Sequence, residues 1–505
     1  MRCVPERVHG AGDRQAGGSR VRTAREPEEG IRQRETHFSR RGAGSHRFLL
    51  PAGDGRASLP GGLRHVPGGK EARRRNREAP DFDPRGIEFV LLTHAHIDHS
   101  GLLPRLAAMG FRGPIYATRA TCDLLAVMLP DAAYIQEKEA ERENRERHRT
   151  RKGREVAPLY TVAQAEECLR QLHPVDYDAE IEPRSGVRCR LRDAGHILGA
   201  AIIELWLTER GTTRKLVFSG DIGQPGRPVV RDPTPIAEAD VLLVESTYGD
   251  RLHRSLEATE EELVLAINDA LASKKGNVIV PAFAVGRTQE ILYVLGDLMR
   301  RGRIASEISI YVDSPMATRV TEITLKHREL TDPESRALVA WQTRDGGNAP
   351  RIRFTESTEE SIRLNSLRDG AVIISASGMC DAGRIKYHLK YNLPRPESTV
   401  LITGFQAAGT LGRRLVDGAP TVVTAGLTAA PENGHLGSVD MLISGCWKFI
   451  MRSSVALGVC APIEQFLLIA SLCDLGVGVV TQTNSAGAHA VGPMNNNSVY
   501  NRQIR

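Results

Sequence analysis

"LLTHAHIDHSG", residues 91–101, places His94, His96, Asp98 and His99 within six positions, directly after an apolar run. Side chains alternate faces along a strand, so His94 and His96 point the same way from the end of "FVLLT". Asp98 and His99 follow as the chain turns into "SGLLPRL", which reads as a helix start with Pro104 in its early turns. Four potential ligands therefore project from one strand end into one small volume. Imidazole nitrogens and carboxylate oxygens suit zinc, and two adjacent ions could share such a cluster. A single loop histidine is more simply read as exposed or hydrogen-bonded. The spacing HxHxDH after a buried strand is too specific for that reading.

From about residue 81 the chain alternates strand-like apolar runs with helix-like segments: "IEFVLLT", "VRCRLRDAGH", "KLVFSGDIG", "ADVLLVEST", "GNVIVPAFAVGR", "ISIYVDSP", "GAVIISASGM" and "STVLITGFQ". This rhythm predicts an α/β architecture with largely buried sheets. The charge run "AERENRERHRTRKGRE" (140–155) reads as a solvated helix face. No internal repeat is visible.

Two more strand ends supply partners for residues 94–99. "RDAGHILGA" places His196 just after a strand, and "VFSGDIG" places Asp221 after the next. In open α/β sheets, sites gather at strand-end loops. Alone, His196 would be a loop histidine and Asp221 a turn or cap residue. Together with residues 94–99 they complete an order that chance rarely supplies.

In these motifs the sequence resembles the metallo-β-lactamase superfamily, specifically its β-CASP branch of nucleic-acid-processing nucleases, similar to bacterial and archaeal homologues of the cleavage and polyadenylation nuclease. "VLLVESTYGD" matches the branch's acidic motif, while "VIVPAFAVGRTQEILYVL", "IYVDSPMA" and "ISASGMCDAGRIKYHL" match its inserted domain; the likeness runs from Gly68 to Gly418. The resemblance implies an αββα sandwich with an inserted Rossmann-like β-CASP domain. It also implies two Zn2+ ions: His94, His96 and His196 on one, Asp98 and His99 on the second, Asp221 bridging both. Zinc brings the pKa of bound water to about 7, supplying hydroxide for phosphodiester hydrolysis. Asp98 would hold that hydroxide, and Glu245 would act beside it in catalysis by orienting a ligand or proton carrier. Read locally, Glu245 competes with a plain turn-capping role.

The β-CASP segments read as phosphate handlers. Ser377 and Gly378 in "SASGM" would let backbone N–H groups approach an anion at the next helix start. Arg384 and Arg287 begin helices from similar strand ends and would pair with phosphate oxygens. Asp313, in "YVDSP", reads as the cap of the helix that Pro315 opens.

Bulk properties narrow the alternatives. The chain has 505 residues, with 41% apolar and 25% charged, as in ordinary globular proteins. Residues 1–80 carry 17 Arg and one Lys against nine acids, so the +6 net charge of the whole conceals a body at −3. RNA binding must then rest on local patches. Eight cysteines without CxxC pairs indicate neither a disulfide framework nor a Cys-type zinc finger, and fit the reducing cytoplasm. No signal peptide is visible, and "SVALGVCAPIEQFLLIASLCDLGVGVV" is interrupted by Glu464, Gln465 and Asp474, so no membrane span is expected.

The expected organisation is an off-pattern basic head over 1–67, disordered or out of frame; a lactamase-like domain over 68–250; a β-CASP domain over 251–418; and an off-pattern tail over 419–505. In the head, Asp54 lies in no recognisable strand. In the tail, the Ser-x-His-x-Asp motif and final zinc-ligating histidine expected of the family are missing; His435 and His489 read as loop histidines. The second zinc site is then incomplete. The leading reading is a zinc-dependent ribonuclease, an endonuclease on single-stranded RNA, with a homodimer left open. The alternatives are a catalytically impaired homologue serving as an RNA-binding or scaffold protein, and a small-molecule metallo-hydrolase of the glyoxalase or lactamase kind, which lacks the blocks at 277–410.

Overall fold

The computed structural model describes residues 70–419 apart from 81, 152, 246–255, 345–350, 369 and 408, together with His65 and eight short strands outside that range. Residues 1–47, Asp54 and His435 lie outside the described residues.

The strand Phe89–Leu92 is buried on both faces. Phe89 and Leu91 enter one core with Leu191, Ile203, Leu205, Leu216 and Phe218, while Val90 and Leu92 enter another with Leu103, Leu106 and Leu124. Alternation along one extended segment thus fills the space between two sheets and the space under a helical layer. Phe89–Leu92 runs parallel to Ile115–Thr118, which runs parallel to Leu172–Val175. The facing sheet is a meander of Val187–Asp193, Ala201–Glu209 and Thr212–Phe218, extended in parallel by Val241–Val244. Helices Leu103–Ala108 and Arg119–Thr150 cover the first sheet through the core they share with Val90 and Leu92. This is the αββα sandwich. The outer part of the long helix carries the expected charge run, with Arg147 on Glu143 one turn back at 2.7 Å.

The second domain is an all-parallel sheet in the order Arg351–Phe354, Ser309–Val312, Ala371–Ser375, Val278–Pro281, Thr399–Ile402, Leu436–Ser438. Val278 and Val280 face one core, and Ile279 faces the other. A parallel sheet with cores on both faces is the Rossmann-like arrangement. All eight strand-like runs of the sequence form strands.

Three features differ from the sequence reading. Phe48–Pro51 and Arg56–Leu59 form an antiparallel hairpin within the stretch read as a structureless head. The tail also supplies strands to both domains. Leu436–Ser438 joins the parallel sheet, Phe466–Ile469 lies parallel to Phe89–Leu92, and Gly478–Gln482 pairs antiparallel with Val241–Val244. His489 falls in the strand Ala488–Val491 rather than in a loop. The physical reason is that short β-branched or apolar runs such as "FLLI" and "GVVTQ" satisfy open sheet edges without any helical rhythm between them.

Candidate metal centre

Three strand ends converge. The Phe89–Leu92 strand runs into Thr93, whose carbonyl accepts from Ala201 N at 2.8 Å, tying it to the strand that follows the His196 loop. The Asp221 loop follows Thr212–Phe218, and Ser219 N donates to Leu243 O at 2.9 Å. Glycine allows these loops to touch. A Cβ on Gly223 would stand 1.6 Å from the Gly195 carbonyl oxygen, and one on Gly220, whose φ is +57°, would stand 2.8 Å from Thr93 Cβ.

His94, His96, His196 and Asp221 each bring one ligand atom into a group lying within 4.8 Å of one another. His196 Nε2 is 3.1 Å from His96 Nδ1 and 3.6 Å from Asp221 Oδ2, and His94 Nε2 is 3.8 Å from the same oxygen. Tetrahedral bonds of 2.0–2.1 Å give ligand–ligand edges of about 3.3–3.4 Å. The observed spacings straddle that edge, and the 3.6–3.8 Å His–Asp separations are too long for hydrogen bonds. On the other side of the carboxylate, Asp221 Oδ1 is 3.6 Å from His99 Nε2, which is 3.3 Å from Asp98 Oδ2. Asp221 Oδ1 is buried and accepts no hydrogen bond among the described residues. His94, His96, His196 and Asp221 thus form a group with the spacing to hold a metal ion, and Asp98 and His99 stand on the other side of the Asp221 carboxylate.

Electrostatics favour the ligating form of the imidazoles. Burial pushes His96 down, against the attraction of Asp98 and Asp221, and pushes His196 well below its ordinary value. Neutral imidazole is the metal ligand. The ring positions are fixed from outside: Thr93 Oγ1 lies 3.2 Å from His94 Nδ1, and the backbone of Val285 hydrogen-bonds His96. Ser100 Oγ donates to Ala95 O at 2.8 Å and to His96 O at 3.0 Å. None of these supports was visible in the spacing of the ligands. The hydroxyls at positions 93 and 100, bracketing the motif, were the available signal.

Glu245 is buried, and its Oε1 accepts from Ile222 N at 2.6 Å, while its own N donates to Ser219 Oγ at 3.1 Å. It holds the backbone on both sides of Asp221. These two bonds make it a positioning residue for the Asp221 segment; the turn that follows it lies outside the described residues.

The residues read as phosphate handlers all have partners within the chain, and only the helix-start placement of Ser377 and Gly378 differs from expectation. The helix after "SASGM" is Ile385–Asn392, so Ser377 and Gly378 sit in a loop and not at its N-terminus. Ser377 N donates to Ala382 O at 3.3 Å, and the Gly378 carbonyl accepts from Gln406 Nε2 at 2.9 Å. Arg287 lies 2.6 Å from Glu290 and is nearly buried. Arg384 donates to Asp313 Oδ1 and to Glu356 O, both at 2.7 Å. Buried carboxylates claimed both guanidiniums, because an unpaired buried charge costs more than an ion pair forfeits. Asp313 caps no helix: Ser314 does, accepting from Ala317 N at 3.2 Å. Asp313 instead receives His388 Nε2 at 2.6 Å, Ser361 Oγ at 2.6 Å and the Thr355 hydroxyl.

Residues 65–275 match the β-lactamase superfamily domain and residues 288–415 the Beta-Casp domain. The chain is 34% identical to Ribonuclease TTHA0252 of Thermus thermophilus over 403 residues, covering 78% of this chain and 86% of the relative. It is 30% identical to the Transcription termination factor FttA of Methanocaldococcus jannaschii, covering 68% of this chain and 51% of that protein. An RNase J-like protein of the same organism is 28% identical, covering 74% and 80%. The chain belongs to the β-CASP branch of the metallo-β-lactamase superfamily. It spans about half the length of the FttA protein it matches.

Two predictions follow from the supporting groups. Glu245→Ala leaves the buried Ile222 N–H without its acceptor, a cost of about 1–3 kcal/mol. Metal affinity should fall about 10–100-fold, measured by competition with a chelator. Burial would raise the Asp313 carboxyl, but the bonds from His388, Ser361 and Thr355 outweigh it and hold it at about 2 against an ordinary 3.8. Its contribution to stability is complete above about pH 4 and lost as pH falls through about 2. Denaturation of Asp313→Asn should accordingly show a flatter acid limb over that window.

Proposed function

We propose that the chain is a zinc-dependent ribonuclease that hydrolyses phosphodiester bonds of single-stranded RNA, acting as an endonuclease. The observation that carries this reading is the joining of the His94, His96, His196 and Asp221 cluster to a β-CASP-type domain in one chain. The names of its relatives, a ribonuclease and an RNase J-like protein, support RNA as substrate.

His94, His96, His196 and Asp221 would hold one zinc, and Asp98, His99 and the shared Asp221 a second. When bound, zinc supplies Lewis acidity that brings water to a pKa of about 7 and neutralises charge on a phosphate. Asp98, whose side chain is 30% exposed where the ligands around it are more deeply buried, faces solvent and can orient the attacking water. Water adds to phosphorus, the P–O bond to the leaving oxygen breaks, and that oxygen takes a proton. Thr93, Ser100 and Glu245 keep the ligand loops from moving as charge develops. In the cytoplasm this chemistry would serve RNA processing.

His96→Ala and Asp221→Ala should each abolish cleavage of a labelled single-stranded RNA while circular dichroism stays that of the folded chain. Both are loop residues whose loss removes little core packing. Full turnover in either variant would remove the assignment. Duplex RNA, single-stranded DNA and a thioester should be poor substrates; preferential thioester hydrolysis would favour the small-molecule hydrolase.

The two positions are unequal. The first has four ligands, a complete tetrahedral set, whereas the second has Asp98, His99 and a share of Asp221. Dialysis against a mild chelator should leave about one zinc per chain, read by elemental analysis. Two firmly held ions would mean that a further residue, such as His435 or His489, completes the second position.

A further inference from the structure

Two parts of the β-CASP-type domain hold the loops that carry metal ligands. The first is loop 282–286, which follows the strand Val278–Pro281. Its Val285 is buried in the lactamase-like core, and its backbone hydrogen-bonds the His96 ring. Gly286 has φ +82°, and a Cβ there would stand 2.7 Å from Ile197 Cγ2, on the residue after ligand His196. The loop thus lies against two ligand segments at once.

The second part grips the chain that leaves Asp221. Arg227 lies 3.5 Å from Glu290 Oε1, and Arg287 lies 2.6 Å from Glu290 Oε2; all three side chains are 9–12% exposed. Two residues later, Val229 N donates to Ser335 Oγ at 2.9 Å. Glu290 sits in the first turn of the helix Arg287–Arg300, and that helix begins where loop 282–286 ends. One rigid element therefore carries both the carboxylate that anchors the Asp221 segment and the loop that fixes His96. A buried carboxylate shared by two guanidiniums is costly to break, because its loss leaves cations buried together.

We infer that Glu290 is a positioning residue of the metal centre, locking the β-CASP domain onto the Asp221 and His96 loops and so setting the spacing of the ligands. This rests on the reading of residues 94–99, 196 and 221 as a metal site. The β-CASP domain then does more than receive RNA: its seating on the lactamase-like domain completes the geometry in which an ion is bound. Separation of the two domains would loosen the ligand set before any substrate contact changed.

The test uses the full chain loaded with Co2+, whose visible absorption reports coordination geometry, and needs no RNA. Glu290→Gln should lower Co2+ affinity about 10-fold or more, the range found for groups that support ligands. Its visible bands should shift in position or intensity while circular dichroism stays unchanged. Ser335→Ala, which removes only the hydrogen bond to Val229, should move affinity and spectrum in the same direction by less. It decides the matter alone if Glu290→Gln does not fold. Wild-type affinity and spectrum in the folded variants would overturn the positioning role while leaving the metal site standing. Failure of the unaltered chain to take up Co2+ would instead overturn the metal site on which the inference rests.

Discussion

Asp221 presents Oδ2 to His94 and His196 at 3.8 and 3.6 Å while Oδ1 faces His99 at 3.6 Å. A carboxylate can face two ways only if its backbone is held in place, because a small rotation that improves one side ruins the other. The surrounding architecture meets that demand from several directions. Glu245 holds Ile222 N and Ser219, Gly223 presses against the Gly195 carbonyl, and Gly220 lets the loop pass over Thr93. The Phe89–Leu92 strand, buried on both faces, gives the histidine motif an anchor that cannot shift register without moving apolar side chains into the wrong core.

The clustering of His94, His96, Asp98 and His99 was legible in the sequence because a strand end imposes a local rule. Alternation fixes His94 against His96, and a short turn limits where Asp98 and His99 can go, so spacing alone carries geometry. His196 and Asp221 were legible because they too end strands of one sheet. The strands themselves were legible for the same reason: runs such as "VIIS" and "VLLV" are dictated by burial within a few residues. Nothing comparable marks the supports. Thr93, Ser219 and Val285 act through a hydroxyl or a backbone group, and a backbone acceptor leaves no trace in residue identity.

Three charged residues have partners that their local sequence does not announce. Arg287, Arg384 and Asp313 are charged residues near strand ends, where sequence favours solvent- or ligand-facing roles. Each instead meets an opposite charge from a segment distant in sequence or one turn away. Asp313 collects His388, Ser361, Thr355 and Arg384 from four positions between 355 and 388. Its cap role passed to Ser314, whose shorter side chain reaches Ala317 N from the neighbouring position. Such networks are decided by which buried charges must be neutralised, a question of tertiary packing that a linear reading cannot pose. The tail strands are a different case: "FLLI" and "GVVTQ" stand in text without a strand–helix rhythm, and nothing local to them says which open edge each takes.

The charge balance gives the metal centre a second task in the proposed reaction. Outside its first eighty residues the chain is net acidic, so the body as a whole does not attract RNA. Burial pushes His96 and His196 toward the neutral form, which leaves the carboxylates of Asp98 and Asp221 as the acidic groups of the cluster. One divalent ion cancels those two carboxylates, and a second makes the site net positive. Since Arg287 and Arg384 are paired with Glu290 and Asp313, bound ions would supply positive charge facing a phosphodiester in the proposed reaction. Under the proposed function, occupancy of the second position would control substrate affinity as well as chemistry, because the same charge that activates water also draws the phosphate into the site.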